Sequence, residues 1–184
     1  MKKIILLGDS IRLMGYGASV ADTLTHQYDC EVWQPEDNCR FAAYTFRMCF
    51  DYQAQMKGAD VIHFNCGLWD LCDLYGDGAF TPMEDYVRTM VRIARMLKSY
   101  APTVIFATTT PPSPQMWGHD IDRIKAYNAA AVEALTAEGV YINDLFTPVW
   151  EDVDNMICGD LIHLSDKGIE TCAKRVVDAI VKHL

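Results

Sequence analysis

The sequence predicts an α/β protein: a three-layer α/β/α sandwich around a five-stranded parallel sheet, its order 2-1-3-4-5 expected by analogy with open sheets of this class. Three observations point there. Short aliphatic and aromatic runs recur along the chain with little two-residue alternation, as in strands buried on both faces. Helical patterns separate one run from the next, which calls for crossover connections and parallel pairing. The 184 residues contain no internal repeat, low-complexity tract or linker. That length suits one domain, 1–184, able to bury a core without disulfide or metal staples.

The first strand is expected at 3–8, carried by Ile4-Ile5-Leu6-Leu7 and stopped at Gly8. Being wholly apolar, it belongs in the middle of the sheet. A helix near 14–27, a strand at 30–34, a helix near 41–57 and a strand at 60–65 follow. The clearest helix is 81–100, with Thr81 as its cap, Pro82 in the first turn and Glu84 completing a capping box. Met83, Tyr86, Val87, Met90, Val91, Ala94 and Leu97 form its apolar stripe. A strand at 103–107, a helix from about 119 to 138 ending at Gly139, and a strand at 139–142 come next. The last helix, about 165–182, starts at Ser165 and buries Ile169, Cys172, Ala173, Val176, Val177 and Ile180. Loops 72–81 and 110–118 follow strand ends, where ligands gather in open α/β sheets, as does the Gly8 turn.

Composition narrows the partners. With 51% hydrophobic and 22% charged residues the chain is built to fold. A formal charge of −9 argues against nucleic acid or an anionic membrane as a partner and leaves small molecules open. Only four aliphatic residues separate Met1-Lys2-Lys3 from Gly8, short of the roughly 7–15 of a secretory signal. No run approaches the ~20 apolar residues of a membrane span, so a cytoplasmic location is expected. Seven cysteines form no CxxC pair and read as scattered reduced thiols, without a metal site. No GxGxxG or GxxxxGK[ST] motif is present, and no cofactor is called for.

The chemistry concentrates at two places. Gly8-Asp9-Ser10 follows the first strand directly, where a tight turn lifts a serine to the rim of a sheet. Asp160-Leu161-Ile162-His163 lies just before the last helix. A serine is a weak nucleophile until an oriented base takes its proton, and a carboxylate can orient that base. The bland alternatives are that Ser10 caps a helix and that Asp160 caps a loop. Of the other histidines, His63 lies inside a strand as a core residue, while His26, His119 and His183 fall on helix surfaces or ends.

On these blocks the chain resembles the SGNH, or GDSL-type, hydrolases over essentially its whole length. Gly8-Asp9-Ser10 is similar to the family's first block and Asp160-x-x-His163 to its last. Asp60-Val61-Ile62-His63-Phe64-Asn65-Cys66-Gly67-Leu68-Trp69-Asp70-Leu71 is similar to the middle block, and Ala107 to Pro112 and Tyr127-Asn128 also fit. The resemblance implies metal-free hydrolysis of a carboxylic ester: Ser10 attacks, His163 serves as general base then acid, and Asp160 orients His163. The expected substrate is a small soluble short-chain acyl or acetyl ester, including those on carbohydrate.

Two positions depart from the family pattern. Its oxyanion asparagine falls on Trp69, so the third donor is either the Asn65 amide, which is slightly favoured, or the Trp69 indole N–H. Its oxyanion glycine falls near Ala43, where only a backbone N–H is needed. Arg12 and Arg40 are candidates for holding an anionic substrate group, and Trp69, Trp117 and Tyr75 for lining a sugar- or aryl-sized pocket. Two other readings stay open: a non-catalytic small-molecule-binding domain with a degraded oxyanion hole, and a flavodoxin-like cofactor binder. An acidic Gly8-Asp9-Ser10 loop disfavours the second.

Overall fold

A computed structural model describes residues 1–184. Strands β1 (Lys2–Leu7), β2 (Cys30–Trp33), β3 (Val61–Asn65), β4 (Thr103–Ala107) and β5 (Tyr141–Asn143) form one sheet. Its order is β2-β1-β3-β4-β5, and every neighbouring pair is parallel. The β1 strand is interior, one place from the edge, while β3 holds the midpoint. The register sets Leu7 beside Phe64 and Asn65 beside Ala107, so three strand ends open onto one rim.

Alternate residues of each strand feed two cores, which is why the apolar runs show no polar face. Ile5 and Leu7 with Ile62, Phe64, Val104 and Phe106 pack under α2 (Ala42–Asp51), α5 (Met83–Lys98) and α6 (Ile121–Ala137). Ile4 and Leu6 with Val61 and Ile105 pack under α1 (Gly17–Tyr28) and α9 (Asp166–Val181). His63 is fully buried, accepts a hydrogen bond from Asn143 at Nε2 (3.2 Å), and burial drives its pKa down to about 3. All seven cysteines are unpaired. No helix is long and apolar enough to cross a membrane.

Several helix boundaries differ from the sequence expectation. Ahead of α1, residues Ile11–Tyr16 form a wide π-type turn broken at Gly15 (φ −113°, ψ −112°). The 41–57 helix splits at Tyr52 into α2 and α3 (Gln53–Met56). Three short helices carry too little periodicity to be seen in sequence: α4 (Leu68–Leu71), α7 (Phe146–Trp150) and α8 (Val153–Met156). Thr81 does not cap α5. Pro82, extended at φ −52° and ψ 142°, holds the cap position without a side-chain bond, and the Thr81 N–H turns back to the Asp70 carbonyl (2.8 Å). Helix α9 does begin at Ser165, whose hydroxyl accepts from Gly168 N–H (3.2 Å).

Candidate active site

The turn after β1 is built from buried parts. A side chain at Gly8 would strike Asn65 Oδ1 and Arg12 Cβ, so glycine alone lets the chain pass there. Asp9 is buried, and its Oδ1 accepts from Ile11 N–H (2.9 Å) and Asn65 Nδ2 (2.7 Å). Asn65 Oδ1 in turn accepts from the buried Tyr16 hydroxyl (2.8 Å). Burial pushes the Asp9 carboxyl up, against the opposing pull of the Asn65 and Ile11 hydrogen bonds. Asp9 therefore caps the turn, and Ser10 does not: it makes no side-chain cap bond. That leaves the Ser10 hydroxyl unspent.

The second turn is a self-contained hairpin. Cys158 N–H bonds to the His163 carbonyl (2.8 Å) and Ser165 N–H to the Met156 carbonyl (2.8 Å), closing it just before α9. The two oxygens of Asp160 divide their work. Oδ1 accepts from the N–H groups of Ile162 (3.0 Å) and His163 (2.9 Å), while Oδ2 meets His163 Nδ1 at 2.6 Å. A carboxylate of this kind accepts, so Nδ1 carries the ring proton and Nε2 presents a lone pair. Burial would raise the Asp160 pKa, but the backbone N–H groups of His163 and Ile162 and the His163 ring outweigh it and hold it below the usual range. Leu161 adopts a left-handed φ of 72° to fold the chain over its carboxylate.

Ser10 and His163 line one cavity of about 290 Å³. Its other walls are Leu68, Trp69, Cys72, Leu74, Met116, Trp117, His119 and Ile162. No hydrogen bond joins Ser10 Oγ to the His163 ring in this state. The wall is largely apolar and carries no Lys, Arg, Asp or Glu. Loop 110–118, which supplies Met116 and Trp117, is tied to the His163 hairpin by Ser113 N–H to the Leu161 carbonyl (2.8 Å). Its root is fixed by Asn128, which accepts from Thr109 N–H (2.8 Å) and donates to the Thr109 carbonyl (2.9 Å).

Five sequence candidates stand elsewhere. Arg12 is buried, 1% exposed, and spends its guanidinium on the carbonyls of Pro35 (2.8 Å), Gly8 (3.1 Å) and Asp37 (2.8 Å) and on Gln34 Oε1 (3.3 Å). It clamps the turn from behind and has no arm for a substrate anion. Arg40 is exposed, lies over the Tyr44 ring at 5.2 Å, and does not line the cavity. Asn65 does not line it either: its amide oxygen accepts from the Tyr16 hydroxyl and one of its two N–H donors goes to Asp9. Ala43 sits exposed in the first turn of α2, outside the cavity wall. Trp69 and Trp117 do line the cavity, whereas Tyr75 does not.

Sequence reasoning missed two contributors. His119, read as a helix-end histidine, stands just ahead of α6 and lines the cavity. Asp70 is fully buried, accepts from Ala42 N–H (2.9 Å) and so anchors the start of α2 beside the rim. Burial lifts its carboxyl to about 6. Its place at the end of the Gly67-Leu68-Trp69-Asp70 block was the available signal.

No protein-family model matches the sequence, and no curated protein matches it. Solved structures do. A catalytic variant of Axe2, an acetylxylan esterase from Geobacillus stearothermophilus, superposes with a TM-score of 0.79 at 16% identity, covering 96% of this chain and 93% of that one. The chain has the fold of known esterases. LAE5, an alpha/beta hydrolase enzyme from the metagenome of Lake Arreo, Spain, gives 0.78 at 16% identity, covering 97% and 94%. The lipase/acylhydrolase from Enterococcus faecalis gives 0.77 at 19% identity, covering 98% and 95%. Coverage above nine-tenths on both sides means that the shared fold runs through nearly all of this chain.

Proposed function

We propose that this protein is a serine hydrolase of carboxylic esters with short acyl groups, acting through an acyl-enzyme on Ser10. One observation carries the reading. The Ser10 hydroxyl, freed from capping by Asp9, shares a cavity with a histidine whose Nδ1 is held by Asp160. In this reading His163 Nε2 takes the Ser10 proton as Oγ attacks the acyl carbonyl, then returns it to the departing alcohol oxygen. Water repeats the sequence and releases the acid. Asp160 keeps its charge throughout and stabilises the imidazolium that forms. The contact between Ser10 and His163 closes when substrate is bound, as catalytic hydrogen bonds in empty sites commonly do.

The oxyanion formed on the acyl carbonyl needs N–H donors. Ser10 N–H is the first, and the Trp69 indole, on the cavity wall and next to the Asp70 that ends the same block, is the side-chain donor assigned to the second place. The apolar wall fits an uncharged ester, and the likeness in fold to an acetylxylan esterase and a lipase/acylhydrolase supports ester chemistry.

A test combines p-nitrophenyl acetate, a set of acetylated sugars and a fluorophosphonate reagent. The protein should release acetate and take up one reagent molecule, while Ser10→Ala should lose turnover by about 10³-fold or more and resist labelling. Turnover that survives Ser10→Ala, or labelling at another residue, would refute the assignment.

A further inference from the structure

His119 stands out among the cavity residues because the proposed chemistry does not use it. Its Nδ1 lies 2.9 Å from the Trp117 carbonyl, which can only accept. The neutral ring therefore carries its proton on Nδ1 and presents a lone pair at Nε2. No protein group is bonded to that nitrogen. The tautomer is thus set by the loop that brings the ring to the cavity.

The remaining wall sharpens what such a lone pair is for. Ser10 and His163 belong to the bond-breaking step, and the indoles of Trp69 and Trp117 donate but cannot accept. The buried Cys72 thiol is a weak partner, and its pKa is raised by burial. With no charged side chain in the wall, an ionic alcohol has no counter-charge there. A neutral hydroxyl would find one strong side-chain acceptor outside the catalytic pair, in a cavity whose wall also carries two indoles able to cover the C–H face of a ring.

We propose that His119 binds the alcohol half of the substrate, its Nε2 accepting a hydrogen bond from a free hydroxyl. The preferred ester is then one of a polyhydroxylated alcohol, such as a partly acylated sugar. This rests on the hydrolase reading above and adds to it the recognition of the leaving group.

The experiment compares two esters that share an acyl group, p-nitrophenyl acetate and a monoacetylated methyl xyloside, on three proteins. His119→Phe keeps a ring and removes the acceptor; His119→Gln restores an acceptor oxygen. Relative to the aryl ester, His119→Phe should lower kcat/KM on the xyloside acetate by a further fivefold to tenfold, roughly one uncharged hydrogen bond, mostly through KM. His119→Gln should regain most of that. Equal losses on both esters, or a His119→Gln no better than His119→Phe, would overturn the role of His119. Cleavage of the aryl ester but not of the xyloside acetate by the unmodified protein would overturn it too, and leave the hydrolase reading standing. Failure on both esters would overturn the hydrolase reading itself, and this inference with it.

Discussion

The two turns that meet at the cavity are held in opposite ways. The Ser10 turn is supported by the interior: Asp9, Arg12, Tyr16 and Asn65 are all buried, and the bonds among them reach 49 and 56 residues along the chain. The His163 turn is supported mainly by its own bonds, with one tie from Ser113 N–H to the Leu161 carbonyl. Asp160 bonds only within three residues, and the side chains of His163 and Asp160 remain 23% and 47% exposed. A nucleophile fixed by the core and a base fixed by its own loop make different demands. The first couples position to global stability, whereas the second can be altered with little cost to the fold.

The largest effect should therefore come from the self-supported side, and on turnover alone. His163→Ala removes the base and should reduce ester turnover by about 10³-fold or more. Its melting temperature should stay within about 2 °C of the parent, since a partly exposed side chain is lost from a hairpin closed by backbone bonds. Asp160→Asn should cost less turnover, because Asp160 orients the ring and takes no part in bond breaking. A large fall in melting temperature for His163→Ala would break the contrast between the turns.

Asn65→Ala attacks the other side. It strands the buried Tyr16 hydroxyl and takes from the buried Asp9 carboxyl one of its two hydrogen bonds, leaving that from Ile11 N–H. The loss should be about 3 kcal/mol of unfolding free energy in urea, at roughly 1–3 kcal/mol per stranded group. A variant that melts like the parent yet turns over about 10²-fold more slowly would instead restore Asn65 to the oxyanion hole.

How much of this was legible in the sequence follows the same division. The strands and their parallel pairing could be read from apolar runs and the helices between them, because strands buried on both faces need no long-range information to be recognised; their order came by analogy with open sheets of this class. Asp160 and His163 could be read together since their bond spans three residues. Ser10 could be found from a local strand-turn pattern, but its support could not. Nothing local says that Asn65 faces Asp9 instead of a substrate, or that Arg12 is enclosed by the carbonyls of Gly8, Pro35 and Asp37. Thr81 failed as a cap for a related reason: its N–H bonds to the carbonyl of Asp70, eleven positions earlier, and Pro82 takes the cap position one residue on.

Asp70 gives the buried side a pH signature. Its carboxyl, raised by burial from 3.8 to about 6, keeps its proton in the folded protein after the unfolded chain has lost it. Between those values the folded state binds more protons, so the contribution of Asp70 to stability declines as pH rises from about 4 to about 6 and stays lower above. Two units correspond to about 2–3 kcal/mol. Urea unfolding of Asp70→Asn at pH 4, 5, 6 and 7 should give a flatter profile than the parent. Some slope of the same sign should remain from Asp9, whose pKa is also raised by burial. Parallel profiles would mean that Asp70 is ionised in the fold.

The smallest effect probes the strain within the His163 hairpin. Leu161 sits at φ 72°, a conformation costing a branched side chain about 1–2 kcal/mol that glycine escapes. Glycine also loosens the unfolded chain, which returns about 0.5–1 kcal/mol to the other side. Leu161→Gly should thus raise stability by about 0.5 kcal/mol, a rise of 1–2 °C in melting temperature for a chain of about this length. The left-handed turn is what lets Asp160 Oδ1 reach the N–H groups of Ile162 and His163, and glycine adopts it freely, so the imidazole should stay in place and turnover should hold within about twofold. A loss above about 1 kcal/mol would show that the Leu161 side chain is packed and not strained. The His163 turn would then depend on the interior as the Ser10 turn does.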